Sequence, residues 1–123
     1  MAPEDLIKEA IVAQKRAEAP YSSYPVGAAL LTIDNSVIFG CNIESKAYPT
    51  TLWAERVAIF SAISQGYKDF SAMALITQDG AFPCGSCRQI IYEYARNIPI
   101  YIAKDLDNYV TQTISDLLPF PFG

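Results

Sequence analysis

The spacing of apolar positions changes along the chain from helical period to short continuous runs and back. Residues 3–18 begin with acidic side chains and end with Lys15 and Arg16, which is the charge order that suits a helix dipole. Their apolar side chains form one stripe at helical spacing: Leu6, Ile7, Ala10 and Ile11. The first segment is therefore predicted to be an amphipathic helix.

Short apolar runs follow this helix and predict a sheet. V-G-A-A-L-L-T-I, residues 26–33, and V-I-F-G-C-N-I-E, residues 37–44, flank the turn residues 34–36 and predict a hairpin. The remaining predicted elements are a helix at 52–65 that stops at Gly66, a strand at 71–77, a helix at about 86–96, a strand at 98–103, a short segment near Tyr109 and a final turn at 114–118.

The order of these elements indicates the fold class. Two strands joined by a helix, as at 71–77 and 98–103, should be parallel and connected by a right-handed crossover. We therefore expect one α/β domain over residues 1–123, with a mixed sheet of about five strands and helices on its faces.

Composition narrows the class of protein. Apolar residues make up 51% of the 123 positions, which excludes a disordered chain. No apolar run approaches the ~20 residues of a membrane span, and the acidic start M-A-P-E-D does not resemble a signal peptide. The net charge of −4 without a basic block argues against nucleic acid as a partner. We expect a cytoplasmic protein with a small-molecule or protein partner and no membrane partner.

The inventory of reactive side chains restricts the chemistry. The chain has no histidine, so it has neither an imidazole base nor a histidine metal ligand. Its three cysteines are Cys41, Cys84 and Cys87. In a cytosolic chain these are more often metal ligands or buried thiols than disulfides.

Two short segments are candidates for a site. The motif P-C-G-S-C-R-Q places Cys84 and Cys87 at the start of a predicted helix, where the free N–H groups favour thiolates. That arrangement suits zinc binding or dithiol redox chemistry, and two buried small residues are the structural alternative. Glu55 begins the other long helix, where an acid often only complements the dipole. Both helices should start at the same edge of the sheet, the usual location of α/β ligand sites.

Several motifs in the right order resemble the cytidine deaminase family, in its small, homotetrameric, zinc-dependent form. The resemblance runs from Pro20 to Gly123. The matching motifs are P-Y-S-S-Y-P-V-G-A-A-L-L, G-C-N-I-E, A-E-R-V-A-I, P-C-G-S-C-R-Q and L-L-P-F-P-F-G. The resemblance implies a cytidine deaminase-like fold and hydrolytic deamination of cytidine, and of deoxycytidine, to uridine and ammonia in pyrimidine salvage.

The resemblance also implies the catalytic groups. In the family three thiolates hold Zn²⁺, which lowers the pKa of a bound water so that hydroxide exists near neutral pH and attacks the cytosine ring. Cys84 and Cys87 match two of these ligands. Glu55 matches the glutamate that carries a proton to the ring and then to the departing ammonia.

Further positions are implied to bind the substrate. Asn42 and Glu44 match residues that hydrogen-bond the ribose hydroxyls, although polar residues at a strand end are an equally good interpretation. Tyr24 stands where an aromatic ring packs beside the base, and a core position is the alternative. Ala54 and Tyr48 are further implied substrate contacts.

The remaining matches concern the neighbouring subunit and the ligand shell. Phe122 matches a C-terminal phenylalanine that reaches the site of another subunit in the homotetramer. Arg56 matches an arginine that donates to the zinc thiolates, or else is a surface helix residue. Cys41 matches a position that is usually not a ligand.

The chain departs from the family pattern at the third ligand. Trp53 stands where the family has the cysteine of C-A-E-R, and an indole N–H is only a donor. Lys46 replaces a small residue near the ribose, where it narrows the pocket or meets a phosphate. Three hypotheses follow: an active deaminase with a depleted metal site, a catalytically impaired homologue that binds nucleosides or a partner, and an ordinary deaminase in which Trp53 is a recent or artificial replacement.

Overall fold

The computed structural model describes residues 1–47 and 50–122 and consists of nine helices and strands in those ranges. In chain order they are α1 (Pro3–Gln14), β1 (Gly27–Thr32), β2 (Val37–Cys41), α2 (Ala54–Ser64), β3 (Phe70–Ile76), α3 (Gly85–Ala95), β4 (Pro99–Ala103), β5 (Tyr109–Thr113) and α4 (Ile114–Leu117). The segment near Tyr109 is thus a full strand.

The five strands form one mixed sheet in the order β2-β1-β3-β4-β5. β1 pairs antiparallel with both β2 and β3, β4 pairs antiparallel with β5, and β3 and β4 are parallel. The predicted hairpin and the predicted parallel pair across α3 are both confirmed. The α/β class with a five-stranded mixed sheet is confirmed as well.

Helices cover both faces of the sheet and divide the core in two. β1 is buried along its whole length, because successive side chains point to opposite faces and both faces are covered. Ala28 and Leu30 belong to the larger core cluster under α2, α3 and α4, and Ala29 and Leu31 belong to the smaller cluster under α1. This explains why the run at 26–33 is continuously apolar.

The first helix is shorter than predicted, because the chain after it pairs elsewhere. α1 ends at Gln14, so Lys15 and Arg16 lie beyond its last turn. The backbone of Glu18 accepts from the N–H of Glu44 at 2.8 Å and donates to the carbonyl of Asn42 at 3.0 Å, which draws the chain out of the helix. No helix in the described ranges is long and apolar enough to cross a membrane.

The end of α2 follows the predicted glycine stop. Gly66 has φ +96°, its N–H donates to the carbonyl of Ile63, and the N–H of Tyr67 donates to the carbonyl of Ala62. This pair of bonds is the Schellman arrangement, which satisfies carbonyls at the helix end. β2 is also shorter than predicted: it ends at Cys41, and beyond it Ile43 forms isolated bridges with Glu18 and Leu52.

A glycine in β2 lets α2 lie directly against the sheet. A Cβ added to Gly40 would lie 2.2 Å from the carbonyl oxygen of Ala54 and 2.6 Å from the backbone nitrogen of Ala58. Any side chain there would collide with the backbone of the first turns of α2. Gly40 therefore sets the distance between α2 and the sheet, and with it the position of Glu55.

We expect Gly40→Ala to lower the free energy of unfolding by about 1–3 kcal/mol, the usual cost of overpacking a close-packed interface. Urea unfolding followed by circular dichroism measures the change. Gly85→Ala is the matched control, because nothing lies within 4 Å of the added methyl group. Equal stability of the Gly40→Ala variant and the parent would contradict the close contact.

Candidate active site

The candidate site lies at the sheet edge where the N-termini of α2 and α3 meet. Because β2 and β3 are both antiparallel to β1, they run in the same direction and end at this edge. α2 follows β2 and α3 follows β3, so both helices begin there. The predicted convergence of the two helix N-termini is therefore observed.

Glu55 is the second residue of α2, and its side chain is only 5% exposed. Burial raises the pKa of its carboxyl, against the opposing effects of a hydrogen bond from its own backbone, a hydrogen bond with Cys87 and the charge of Arg56. The protonated form is thus favoured relative to an exposed glutamate. Glu55 is a buried acid in contact with a thiol.

The two cysteines of the C-x-x-C motif have opposite environments. Cys84 is the N-cap residue of α3 and is exposed, whereas Cys87 is 1% exposed. Burial acts to raise the pKa of Cys84, but hydrogen bonds with Ser86 and Cys87 outweigh it and the pKa is lowered. Burial raises the pKa of Cys87, and the neighbouring Glu55 and Cys84 add to that rise.

Arg56 connects the two helices. Its Nη2 donates to Ser86 Oγ at 2.6 Å. Its guanidinium acts to lower the pKa of Cys87, against the larger effect of burial. Its Nε is buried and has no hydrogen-bond partner within the described part of the chain. This arginine belongs to the site rather than to the free surface of α2.

Glu55 and the two cysteines line an inner compartment of about 190 Å³. Its other walls are mostly apolar or aromatic. They are Tyr24, Val26, Trp53, Leu75, Thr77, Ala81, Phe82 and Pro83. A small planar group entering this compartment would meet the buried carboxyl and the thiols.

A larger outer compartment of about 560 Å³ has a polar lining. It is lined by Tyr21, Ser22, Tyr24, Asn42, Glu44, Ser45, Lys46, Thr51 and Trp53. Tyr24 and Trp53 line both compartments, so they lie where the two spaces adjoin. The Tyr24 hydroxyl donates to the Asp79 carboxylate at 2.5 Å, which fixes the ring from the far side of the site.

Asn42 and Glu44 lie in the outer compartment and already have partners in the chain. Asn42 is 1% exposed, its Oδ1 accepts from the N–H of Val26 and its Nδ2 donates to the carbonyl of Tyr24, both at 2.9 Å. Glu44 Oε1 accepts from the N–H groups of Tyr21 and Ser22 at 3.0 Å. Both side chains hold the loop before β1 in place, and ribose binding by them stays a prediction.

Two other predicted substrate contacts, Ala54 and Phe122, do not line either compartment. Ala54 is buried in the core cluster, with its carbonyl against Gly40. Phe122 is 88% exposed, and its backbone is held by two hydrogen bonds to the Gln89 amide. Tyr48 lies outside the described residues. Cys41 lies on β2 opposite Gly27 and lines neither compartment.

Sequence reasoning missed several residues that shape the site. Phe82 is a wall of the inner compartment, Asp79 holds Tyr24, and Ser86 binds both Arg56 and, at 3.4 Å, the sulfur of Cys84. Phe82 was visible as an aromatic residue directly before the P-C-G-S-C motif. No pattern links Tyr24 to Asp79, because the pair is 55 residues apart.

The donor set is incomplete for the zinc that the resemblance implies. Structural and catalytic zinc sites in proteins have at least three protein ligands. Within residues 1–47 and 50–122, no three histidine, cysteine, aspartate or glutamate side chains form a group that could hold a metal ion. Cys84 and Cys87 are a pair, and Trp53 stands beside them without a ligating atom. The residues present therefore do not fit a three-ligand zinc site.

Comparison with known proteins identifies the family. The model of the cytidine and deoxycytidylate deaminase zinc-binding region matches residues 2–102. The cytidine deaminase of Sporosarcina psychrophila is 42% identical over 123 residues, covering 98% of this chain and 90% of that protein. The cytidine deaminase of Halalkalibacterium halodurans is 44% identical over 120 residues, covering 95% and 91%.

A solved structure shows the same fold. The crystal structure of cytidine deaminase from Burkholderia pseudomallei superposes with a TM-score of 0.95 at 37% identity, covering 99% of this chain and all of that one. These matches define the class as aminohydrolases of α/β fold. The chain belongs to the cytidine deaminase family.

Proposed function

We propose that this protein binds pyrimidine nucleosides across the two compartments and deaminates cytidine, and deoxycytidine by the same contacts, to the uridine product and ammonia. The observation that carries the proposal is the buried Glu55 carboxyl in an otherwise apolar inner compartment, which adjoins a polar outer one. A reaction of this kind belongs to pyrimidine salvage.

The inner compartment suits the heterocycle. Tyr24, Phe82 and Trp53 offer flat apolar surface, and Glu55 is the group placed to exchange a proton with the ring. Because burial raises its pKa, Glu55 holds a proton more readily than an exposed glutamate and donates it to the ring nitrogen as water adds to the neighbouring carbon. Glu55 then takes the proton of that water, passes it to the amine, and recovers the hydroxyl proton as the C–N bond breaks and ammonia leaves. In the family zinc supplies hydroxide near neutral pH, and this chain offers that ion only two thiolates.

The outer compartment suits the sugar. Glu44 retains a carboxylate beside its loop contacts, and hydrogen bonds with Ser22 and with the backbone of Tyr21 lower its pKa, so it is an acceptor for ribose hydroxyls. Lys46 is exposed on the same wall. Asn42 contributes by fixing the backbone of Tyr24 and Val26.

A test of Glu55 follows from this role. Glu55→Gln should lower cytidine turnover by about 10²-fold to 10⁴-fold, because an amide cannot exchange a proton, while nucleoside binding is retained. Loss of cytidine absorbance measures turnover, and fluorescence of Trp53, the single tryptophan of the chain, measures binding. Glu93→Gln on the exposed face of α3 is the matched control and should match the parent. Undiminished turnover in Glu55→Gln would assign the proton transfer to another group.

The incomplete donor set favours a second candidate function. In it the chain binds nucleosides but turns them over slowly, because Trp53 removes one thiolate and adds bulk between the compartments. Removal of one protein ligand lowers metal affinity, since affinity follows ligand number and charge. Cytidine binding without measurable turnover, at less than one zinc per chain, would select this candidate.

Restoring the third thiolate tests whether position 53 faces the metal. Trp53→Cys should raise bound zinc toward one per chain and raise cytidine turnover by roughly tenfold or more, the scale on which ligand surroundings change metal sites. Trp53→Ser is the matched control, because it removes the same bulk without adding a thiolate. Zinc is measured by elemental analysis and turnover by absorbance. If Cys and Ser variants behave alike, position 53 does not face the metal.

The exposed C-terminal aromatic ring supports the proposed homotetramer. Phe122 is held by Gln89 through its backbone, so its ring projects into solvent from an ordered segment. Aromatic residues are enriched at protein–protein interfaces relative to the rest of the surface. We propose that it reaches the site of a neighbouring copy.

Sedimentation velocity at micromolar concentration should give the mass of four chains. Phe122→Ser should weaken nucleoside binding by about tenfold, the cost of roughly one lost apolar contact of 1–2 kcal/mol. A stable monomer that binds nucleoside as well as the parent would overturn the subunit assignment.

A further inference from the structure

Two thiols that lack a third metal-binding partner lie together at the start of α3. Cys84 and Cys87 are the N-cap residue and the third residue of the helix, and both line the inner compartment. Residues three apart in a helix lie on the same face. In the described ranges no third metal-binding side chain joins them.

The exposure of the two sulfurs differs sharply. Both cysteines line the inner compartment, but Cys84 is exposed, whereas Cys87 is 1% exposed. Cys41, the other thiol of the chain, lies on β2 and lines neither compartment. Cys84 is therefore the exposed thiol of the C-x-x-C pair, and Cys87, three positions further along, is the buried one.

We propose that Cys84 and Cys87 form a redox-active dithiol, which a low-molecular-weight disulfide of the glutathione type converts to an intramolecular disulfide. The exposed thiol, Cys84, reacts first with the small disulfide, and the buried thiol, Cys87, then closes the intramolecular disulfide. The proposal goes beyond nucleoside deamination and concerns the two thiols while no metal ion is bound to them.

The exchange proceeds in two balanced steps. Cys84 sulfur attacks one sulfur of the small disulfide, a bond forms between them, the original S–S bond breaks, and one small thiol leaves with the Cys84 proton. Cys87 sulfur then attacks Cys84 sulfur, and the second small thiol leaves with the Cys87 proton. The two protein thiols are oxidised by two electrons, and one small disulfide is reduced to two thiols.

Oxidation changes the inner compartment. A disulfide has no thiolate to offer a soft metal ion, and it lies beside Glu55 and Trp53 on the walls of the same space. Trp53 is the only tryptophan in the chain, so its emission reports on this site alone.

The test uses the full chain with Cys41→Ser, which leaves the two thiols of interest. The reduced protein is equilibrated with glutathione and glutathione disulfide in varying ratio, quenched with acid, alkylated and weighed by mass spectrometry. We expect one two-electron transition to a form without free thiols or bound glutathione, accompanied by a change in Trp53 fluorescence. A final state with glutathione attached, or with both thiols free at the most oxidising ratio, would overturn the proposal.

Single variants in the same background check the order of attack. Cys87→Ser should stop at a glutathione adduct on Cys84. Cys84→Ser should react at least tenfold more slowly than Cys87→Ser, because its remaining thiol is buried. Equal rates in the two variants would overturn the assignment of Cys84 as the attacking thiol.

The effect of Zn²⁺ on the oxidation rate distinguishes a redox-active dithiol from a metal site. One equivalent of Zn²⁺ should leave the oxidation rate of the Cys41→Ser protein within about twofold, but should slow it at least tenfold when Trp53→Cys is added, because three thiolates hold the ion. Equal protection in both proteins would show that Cys84 and Cys87 serve as metal ligands without a third thiolate, and would overturn the proposal. Cytidine turnover is measured separately in reducing buffer, so failure of the redox test leaves the proposed deamination to its own assay.

Discussion

The meeting of two helix N-termini at one edge of the sheet is the constraint on which the site depends. Gly40 allows the backbone of α2 to lie directly on β2, and Arg56 ties α2 to α3 through Ser86. Because α2 packs on β2 and is linked to α3, Glu55 and Cys87 are brought into contact although they are 32 positions apart. A shift of either helix would separate the acid from the thiols.

The close approach of the two helices also affects the ionisation of the groups at the site. A carboxyl and a buried thiol share an apolar compartment, and burial penalises the ionised form of each, so the pKa values of Glu55 and Cys87 both rise. Arg56 is the cation in contact with them, and its Nε has no acceptor among the described residues. Arg56 itself is half-buried, and negative charge on a neighbouring group would offset the cost of its unpaired Nε.

Trp53 links the shape of the cavity to its chemistry. Its side chain lines both compartments, so its volume affects the shape of each. It also occupies the position to which the family resemblance assigns a thiolate. One residue thus reduces the number of metal-binding groups and leaves two adjacent thiols without a shared partner. Metal binding and thiol exchange draw on the same two sulfurs, and an oxidised pair excludes a bound ion.

The sequence by itself determined the elements and most of the candidate residues, because their signals are local. The continuous apolar run at 26–33 predicted a strand covered on both faces, Gly66 predicted the end of α2, and the C-x-x-C motif predicted two thiols at a helix start. The motifs also identified the family, since several in order are specific where one alone is not.

Only the tertiary structure decided which of these residues are in contact and which already have hydrogen-bond partners within the chain. The periodicity of residues 3–18 did not reveal the end of α1 at Gln14, because Glu18 leaves the helix to pair with residues 42–44. Likewise, Tyr24 binds Asp79, and the Asn42 amide is bonded within the chain. Periodicity reports the environment of neighbouring residues, whereas contacts across tens of residues depend on how the layers pack, which no local pattern encodes.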